Sequence, residues 1–147
     1  MIDYLIIGGT FKSGTSALFS YLNGFPGING SVKKETGFFV EARYNDNFRP
    51  DLNEYFKCFD QLNTGIKMES SPGYLYGREK IANCISLELG SNVKNIFILR
   101  EPTNRFISFY KMLINGFINE VNTSVINKET SLEEYFSKCN KPICRLS

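Results

Sequence analysis

The sequence contains no histidine and no tryptophan, and its formal net charge is only +2. Without histidine, neither a Ser-His-Asp triad nor a Cys-His dyad can form, and no metal site can use imidazole ligands. A general base must therefore be a carboxylate, lysine, tyrosine or cysteine side chain. Because 17 basic residues nearly balance 15 acidic ones, no general polyanion-binding surface is indicated, and we expect no nucleic-acid partner.

Long apolar runs are missing as well. The longest candidate near the N-terminus, residues 4–7, is too short for a signal core or a membrane span. None of the four cysteines belongs to a Cys-x-x-Cys pair, so neither structural zinc nor a disulfide framework is indicated. These absences predict a soluble protein without a membrane span, in the reducing environment of the cytoplasm.

The 147 residues are enough for one domain with one continuous core. Apolar runs predict buried strands at 4–7 and 93–99 and a weaker strand at 65–69, while the aromatic stretch 38–59 is expected to form core and pocket wall. Apolar residues at helical spacing, with start and stop signals, predict four helices. The first helix is expected to turn Ala17, Leu18, Tyr21 and Leu22 inward, and the second Ile81, Cys84, Ile85 and Leu89, with Gly90 just past its end. The third is expected to begin at Pro102 and to turn Phe106, Tyr110, Leu113 and Phe117 inward. The capping box Ser131–Glu134 opens the fourth. Alternating strands and helices predict an α/β fold, a P-loop-type parallel sheet flanked by helices.

A glycine-rich loop, Gly9–Ser16, connects the first predicted strand to the first predicted helix. Small residues let successive backbone N–H groups converge on an anion, and the positive end of the helix dipole points at the same place. Lys12 adds a cation, and the hydroxyl groups of Ser13, Thr15 and Ser16 add donors. The loop therefore predicts a phosphate site, with a tight turn that binds no ligand as the alternative.

A nucleotide kinase or nucleoside triphosphatase is a second alternative, because Gly9 and Gly14 have the spacing of its P-loop. In such a loop a lysine follows the second glycine, whereas here Thr15 stands there and Lys12 lies inside the loop. These enzymes also hold magnesium with an acidic residue after a neighbouring strand. Here Arg100 follows the predicted strand 93–99. Both differences disfavour this alternative.

Arg100 and Ser108 form a second candidate anion site. Open α/β sheets bind ligands beyond the carboxyl ends of their strands, where Arg100 is expected. Ser108 lies two turns into the next predicted helix, so strand end and helix could hold one phosphate group together. The alternative is a salt bridge for Arg100 and a solvated helix position for Ser108.

At these segments the sequence resembles the sulfotransferases that use 3′-phosphoadenosine 5′-phosphosulfate (PAPS). Residues 11–18, Phe-Lys-Ser-Gly-Thr-Ser-Ala-Leu, resemble the 5′-phosphosulfate loop of that family. Residues 99–110, Leu-Arg-Glu-Pro-x-x-Arg-x-x-Ser-x-Tyr, resemble its 3′-phosphate motif. Residues 34–39, Lys-Glu-Thr-Gly-Phe-Phe, and 69–74, Glu-Ser-Ser-Pro-Gly-Tyr, resemble the carbohydrate branch, which includes the heparan sulfate sulfotransferases.

The resemblance implies an enzyme that moves a sulfuryl group from PAPS to a hydroxyl or amine of a carbohydrate-like acceptor. The product is adenosine 3′,5′-bisphosphate, and no metal is required. By resemblance, Lys12 contacts the sulfate and the bridging oxygen, and Glu35 is the general base. The residues implied to bind the nucleotide are Lys12, Ser13, Gly14, Thr15 and Ser16 at the 5′ end and Arg100 and Ser108 at the 3′-phosphate. For Glu35 the alternative is a surface carboxylate paired with a neighbouring lysine.

The likeness extends from about residue 3 to residue 113, and the catalytic domains of the family are longer. The resemblance therefore implies a single nucleotide-binding domain over residues 1–147 that is shortened at its C-terminus. A nucleotide-binding remnant without catalytic activity is a further alternative. Two positions depart from the branch, because Gly37 stands where members often have histidine and Ser70 where some have lysine.

Overall fold

The computed structural model of the chain describes residues 3–60, 64–114 and 130–139. The chain divides into two compact units, Met1–Leu99 and Arg100–Ser147. The elements of the first unit are β1 Tyr4–Gly9, α1 Thr15–Leu22, β2 Ile28–Gly30, a 3₁₀ segment Val40–Arg43, α2 Leu52–Phe56, β3 Ile66–Glu69, a second 3₁₀ segment Pro72–Gly77, α3 Arg78–Leu89 and β4 Val93–Phe97. Those of the second are α4 Pro102–Met112 and α5 Leu132–Cys139. A single domain over residues 1–147 stays a prediction.

The four strands form one parallel sheet in the order β2-β3-β1-β4. The predicted α/β fold with a parallel sheet and flanking helices is thus confirmed. After β1 the chain continues to β2 at one edge of this sheet, and after β3 it continues to β4 at the other edge. The connections that follow β1 and β3 therefore leave the carboxyl edge in opposite directions. In open α/β sheets, ligands bind at such a point.

The core lies on both faces of β1, because successive side chains of a strand point to opposite faces. Ile7 packs with Phe19 of α1 and Met68 of β3. Ile6 belongs to a larger cluster on the other face, which contains Phe39, Ala42, Tyr55, Phe59, Tyr74, Ile81, Ile85 and Leu89. The prediction that the aromatic stretch 38–59 supplies core is therefore confirmed.

The inner face of α1 differs from the predicted one. Thr15 and Phe19 are buried, and Leu18 and Leu22 are half-buried. Ala17 is exposed and Tyr21 is 66% exposed, so their assignment to the inner face is wrong. The helix is rotated about its axis relative to the prediction, because the ring of Phe19 packs against Ile7 and Met68. Phe19 was not among the residues predicted to face inward.

The predicted buried strand 93–99 is wrong in two respects. β4 ends at Phe97, and in the sheet formed by the described strands it lies at an edge. Phe97 is 51% exposed and Leu99 is 75% exposed. The apolar run was sufficient to predict a strand, but it does not report that this strand lies at an edge of the described sheet.

The signals for helix ends were accurate. α3 ends at Leu89, and Gly90 follows with φ 77°, a left-handed conformation that suits glycine. Pro102 is the first residue of α4. Before α5, the backbone N–H of Glu134 donates to Ser131 Oγ at 3.1 Å, as expected for a helix cap.

The second unit is held together by aromatic side chains. Phe106 and Tyr110 of α4 lie with their ring centroids 5.3 and 5.7 Å from the ring of Tyr135 in α5. These two positions of the predicted inner face are thus confirmed. Leu113 follows the last residue of α4, and Phe117 lies outside the described residues. No helix in the described part of the chain has both the length and the apolar character needed to cross a membrane.

Candidate functional site

The glycine-rich loop Gly9–Ser16, called the phosphate loop below after its predicted ligand, is fixed at both of its ends. The backbone N–H of Thr10 donates to Ile98 O at 2.8 Å, and the N–H of Ile98 donates to Gly9 O at 2.8 Å. At the other end, Gly14 has φ 95°, a left-handed conformation that glycine adopts without a clash of Cβ. Because α1 begins at the next residue, the loop joins the carboxyl end of β1 directly to a helix N-terminus.

Inside the loop, the chain takes a conformation that few side chains tolerate. Lys12 has φ 66°, in the left-handed region that residues other than glycine seldom occupy. The loop also closes on itself, through a hydrogen bond between the hydroxyl groups of Thr10 and Ser13 and through Ser13 N–H, which donates to Thr10 O at 3.3 Å. Backbone strain of this kind is concentrated at ligand sites and persists where the surroundings enforce it.

The first turn of α1 offers donors to an anion. The first backbone hydrogen bond of the helix runs from Leu18 N–H to Gly14 O at 3.1 Å. The N–H groups of residues 15–17 precede it and have no acceptor within the helix. This turn carries no acidic residue, and the side chain of Ser16 is exposed. An anion at this place would meet amide donors, a hydroxyl group and the positive end of the helix dipole.

Lys34 links the loop to the predicted general base. Its ammonium group donates to Ser16 Oγ at 3.1 Å and lies 2.7 Å from Glu35 Oε1. The side chain of Lys34 is 25% exposed and that of Glu35 is 45% exposed, so the pair lies at a surface that an acceptor could reach. Glu35 is therefore paired with a neighbouring lysine, and this lysine holds it beside the phosphate loop.

The backbone next to Glu35 is anchored to the end of β3. The N–H of Ser70 donates to Lys34 O at 2.9 Å, and Ser31 Oγ donates to the same carbonyl at 3.3 Å. Ser31 is itself held by its N–H, which donates to Met68 O at 2.8 Å. The segment that carries Glu35 is thus positioned by the strand next to β1.

A fully buried carboxylate, Glu69, ends β3. It accepts hydrogen bonds from Tyr55 at 3.1 Å, from Ser71 at 2.8 Å, from Tyr74 at 3.2 Å and from Thr36 Oγ1. Burial raises the pKa of Glu69, and the four hydroxyl donors lower it in part. Burial, together with the charge of Glu69, also raises the pKa values of Tyr55 and Tyr74, so that both phenols remain donors.

No role for Glu69 came out of the sequence alone, where it appears only within a segment that resembles the carbohydrate branch. One signal was present. A carboxyl residue ends the strand predicted at 65–69, and this strand was expected in the same parallel sheet as the phosphate loop. A charged residue at the end of a short apolar strand is ordinarily solvated, so the signal is weak.

Arg100 and Ser108 both lie in the second unit. Arg100 is exposed and follows the end of β4 by three residues, and Ser108 lies near the middle of α4 and is half-buried. Glu101 caps this helix, because its carboxylate accepts from the N–H groups of Thr103 and Asn104 at 2.8 and 2.7 Å. These backbone hydrogen bonds lower the pKa of Glu101. Among the described residues of the chain, no group of three or more aspartate, glutamate and cysteine side chains could hold a metal ion.

No protein-family model matches the chain. Two curated proteins do resemble it, heparan sulfate glucosamine 3-O-sulfotransferase 5 of Mus musculus and of Homo sapiens. Each is 32% identical over 112 residues, which are 76% of this chain. A solved structure, that of a sulfotransferase from Alicyclobacillus acidocaldarius, matches 83% of the chain with a TM-score of 0.68 and 26% identity. The resemblance to the sulfotransferases is confirmed.

The sulfotransferase-like chain spans 31% of the length of each curated relative and 53% of the bacterial structure. Within its first unit, it brings Ser16 of the phosphate loop and Glu35 to the same ammonium group of Lys34. The catalytic roles of Lys12 and Glu35, and the nucleotide contacts of the loop, Arg100 and Ser108, stay predictions.

Proposed function

We propose that the chain transfers a sulfuryl group from PAPS to a hydroxyl or amine of a carbohydrate-like acceptor. One observation carries the proposal: the ammonium group of Lys34 lies 3.1 Å from Ser16 of the phosphate loop and 2.7 Å from Glu35. The carboxylate of Glu35 is thus held beside the loop that we propose to bind the phosphosulfate. The likeness to sulfotransferases supports this reaction class.

In this proposal the nucleotide is held at both phosphate ends. Residues 12–16 bind the 5′-phosphosulfate, and Arg100 and Ser108 bind the 3′-phosphate. The donor chemistry of the loop fits, because backbone N–H groups, hydroxyls and an ammonium group all favour an anion. The loop is also open at Gly14, where an added Cβ would meet no atom within 4 Å.

Glu35 is the general base of the proposed reaction. The acceptor loses its proton to Glu35 while its oxygen or nitrogen forms a bond to sulfur, and the bond between sulfur and the bridging phosphate oxygen breaks. Lys12 stabilises the negative charge that develops on the departing phosphate. A carboxylate base is consistent with a chain that has no histidine.

The proposed acceptor is a carbohydrate. The two curated relatives carry names that specify glucosamine in heparan sulfate. A net charge of +2 gives little attraction for a long and densely sulfated polymer. We therefore expect a short oligosaccharide to be the better substrate. A nucleotide kinase is not favoured, because the proteins that resemble this chain are sulfotransferases and because Arg100 follows β4 where a kinase needs an acid.

The test is calorimetric titration with adenosine 3′,5′-bisphosphate and with ATP, each with and without magnesium, followed by transfer of radiolabelled sulfate from PAPS to a heparan sulfate oligosaccharide. We expect binding of the bisphosphate that does not depend on magnesium, a preference for it over ATP, and labelled oligosaccharide. Binding of ATP that requires magnesium would refute the proposal in favour of a kinase. Binding of the bisphosphate without transfer to hydroxyl or amine acceptors would identify a remnant without catalytic activity.

A further inference from the structure

The proposed reaction leaves the buried carboxylate of Glu69 without a role. Its side chain is fully buried, and among the described residues no lysine or arginine forms an ion pair with it. Burying a carboxylate without a cationic partner is costly, and a neutral side chain of the same shape would avoid the cost. The carboxyl group at this position accepts four hydroxyl donors at once, which an amide of the same shape cannot do.

Glu69 lies behind a row of hydrogen bonds to three consecutive backbone N–H groups. Each of these groups donates to a side-chain hydroxyl that itself donates to Glu69. The three bonds run from Gly37 N–H to Ser71 Oγ at 3.0 Å, from Phe38 N–H to Thr36 Oγ1 at 3.3 Å and from Phe39 N–H to Tyr74 OH at 3.2 Å. One carboxylate thus organises the backbone of residues 37–39 through three hydroxyl groups.

The carboxylate of Glu69 sets the direction in which the three hydroxyl groups donate their protons. A hydroxyl group has one proton, and when it gives this proton to a carboxylate, only its lone pairs remain for other partners. Those lone pairs accept the N–H groups of residues 37–39. A glutamine at position 69 would present an NH₂ group, which must be accepted by one of the hydroxyls. That hydroxyl would then have to turn its proton away from position 69, and its bond to the backbone would weaken.

Glu35 lies two residues before this row. On one side of it, Lys34 O accepts the N–H of Ser70 at 2.9 Å, and on the other side Thr36 donates to Glu69. Both residues next to Glu35 in the sequence are thus held, Lys34 by Ser70 and Thr36 by Glu69. We propose that Glu69 is a positioning residue, whose carboxylate holds the segment 34–39 so that Glu35 stays beside the phosphate loop. The inference rests on the proposed function in so far as Glu35 is the general base.

Hydrogen exchange of the backbone tests the positioning directly and requires no substrate. In the Glu69→Gln variant we expect the N–H groups of residues 37–39 to exchange about tenfold faster, as for loss of one hydrogen bond, while those of β1 and β3 keep their protection. Unchanged protection of residues 37–39 would overturn the proposal.

Two tyrosines provide a matched pair if the glutamine variant does not fold. Tyr55 and Tyr74 both donate to Glu69, but only Tyr74 accepts a backbone N–H, that of Phe39. Tyr74→Phe should therefore speed exchange at Phe39, and Tyr55→Phe should not. Equal effects of the two variants would show that the network contributes general stability, and the proposal would fail.

Turnover tests the link to Glu35 in a double-mutant cycle with PAPS and a heparan sulfate oligosaccharide. Glu69→Gln should lower kcat by about tenfold to hundredfold, as expected for a misplaced base, and should leave the affinity for adenosine 3′,5′-bisphosphate unchanged. In the Glu35→Gln background the same substitution should have no further effect on kcat. A further loss of the same size there would overturn the positioning role. Full turnover in Glu35→Gln alone would instead refute Glu35 as the base, and the exchange data would still decide whether Glu69 orders residues 37–39.

Discussion

Replacing Gly9 by alanine tests how the phosphate loop is attached to the sheet. Gly9 is the last residue of β1, and it lies against the 3₁₀ segment Pro72–Gly77. A Cβ built on Gly9 would lie 2.8 Å from Leu75 Cβ, 3.1 Å from Leu75 Cδ2 and 3.3 Å from Pro72 O. The first of these atoms is attached to the backbone and cannot rotate away, so either β1 or the 3₁₀ segment must shift.

An overpacked site of this kind costs about 1–3 kcal/mol. For a chain of this length, a loss of about 2 kcal/mol lowers Tm by roughly 4–8 °C. We expect the Gly9→Ala variant to lose this amount in urea and thermal denaturation. Because the displaced residue is the first of the phosphate loop, the Gly9→Ala variant should also bind adenosine 3′,5′-bisphosphate more weakly in calorimetry.

Removing the neighbouring side chain should relieve the clash. In a Leu75→Gly background both contacts with Leu75 disappear, and we expect the penalty of Gly9→Ala to fall to the part that is due to Pro72 O and to the backbone conformation of Gly9. Gly14→Ala is the matched control, because its Cβ would meet no atom within 4 Å while φ 95° still strains an alanine. Its cost of about 1–2 kcal/mol should be the same in both backgrounds. An equal penalty for Gly9→Ala with and without Leu75 would refute the steric reasoning.

Three further predictions concern charged residues. Lys12→Ala should lower kcat for sulfate transfer more than it lowers nucleotide affinity, because its proposed contact strengthens in the transition state; an unchanged kcat would remove Lys12 from the mechanism. Arg100→Ala should weaken calorimetric binding of adenosine 3′,5′-bisphosphate far more than binding of adenosine monophosphate, and equal losses would refute the 3′-phosphate assignment. Because burial raises the pKa of Glu69 above its ordinary value of 4.5, the folded chain binds a proton at this group more tightly than the unfolded chain. The stability that Glu69 contributes is thus complete below that ordinary pKa and is lost as the pH rises through the raised one. Glu69→Gln should therefore reduce the loss of stability between acidic and neutral pH in urea titrations, and parallel curves would contradict this.

Local signals predicted most elements that the structure contains. The strand at Tyr4, the loop with its two glycines, the helix that ends before Gly90 and the helix that begins at Pro102 all depend on residues close in sequence. Strand β2, Ile28–Gly30, was missed, because three residues carry no periodicity and this strand is defined by its pairing with β3.

The part of the candidate site that depends on residues close in sequence could be predicted. Loop residues 9–16 are contiguous, and their composition alone indicates an anion site. The bridge from Lys34 to Ser16 joins residues that are 18 positions apart, and the network of Glu69 joins three separate segments. No pattern in the sequence reports the burial of Glu69, since it depends on where Tyr55 and Tyr74 pack.

The pairing of Thr10 with Ile98 also determines when the phosphate loop can form. The two residues are 88 positions apart, and both described strands that pair with β1, β3 and β4, come much later in the chain. Such long-range parallel pairing closes slowly, because a large chain entropy is lost before any contact is gained. During synthesis, β1 and the residues after it leave the ribosome long before β4 exists. A nascent chain that ends before residue 98 should therefore not bind the nucleotide, and the phosphate loop should be held in place only once β4 has been added.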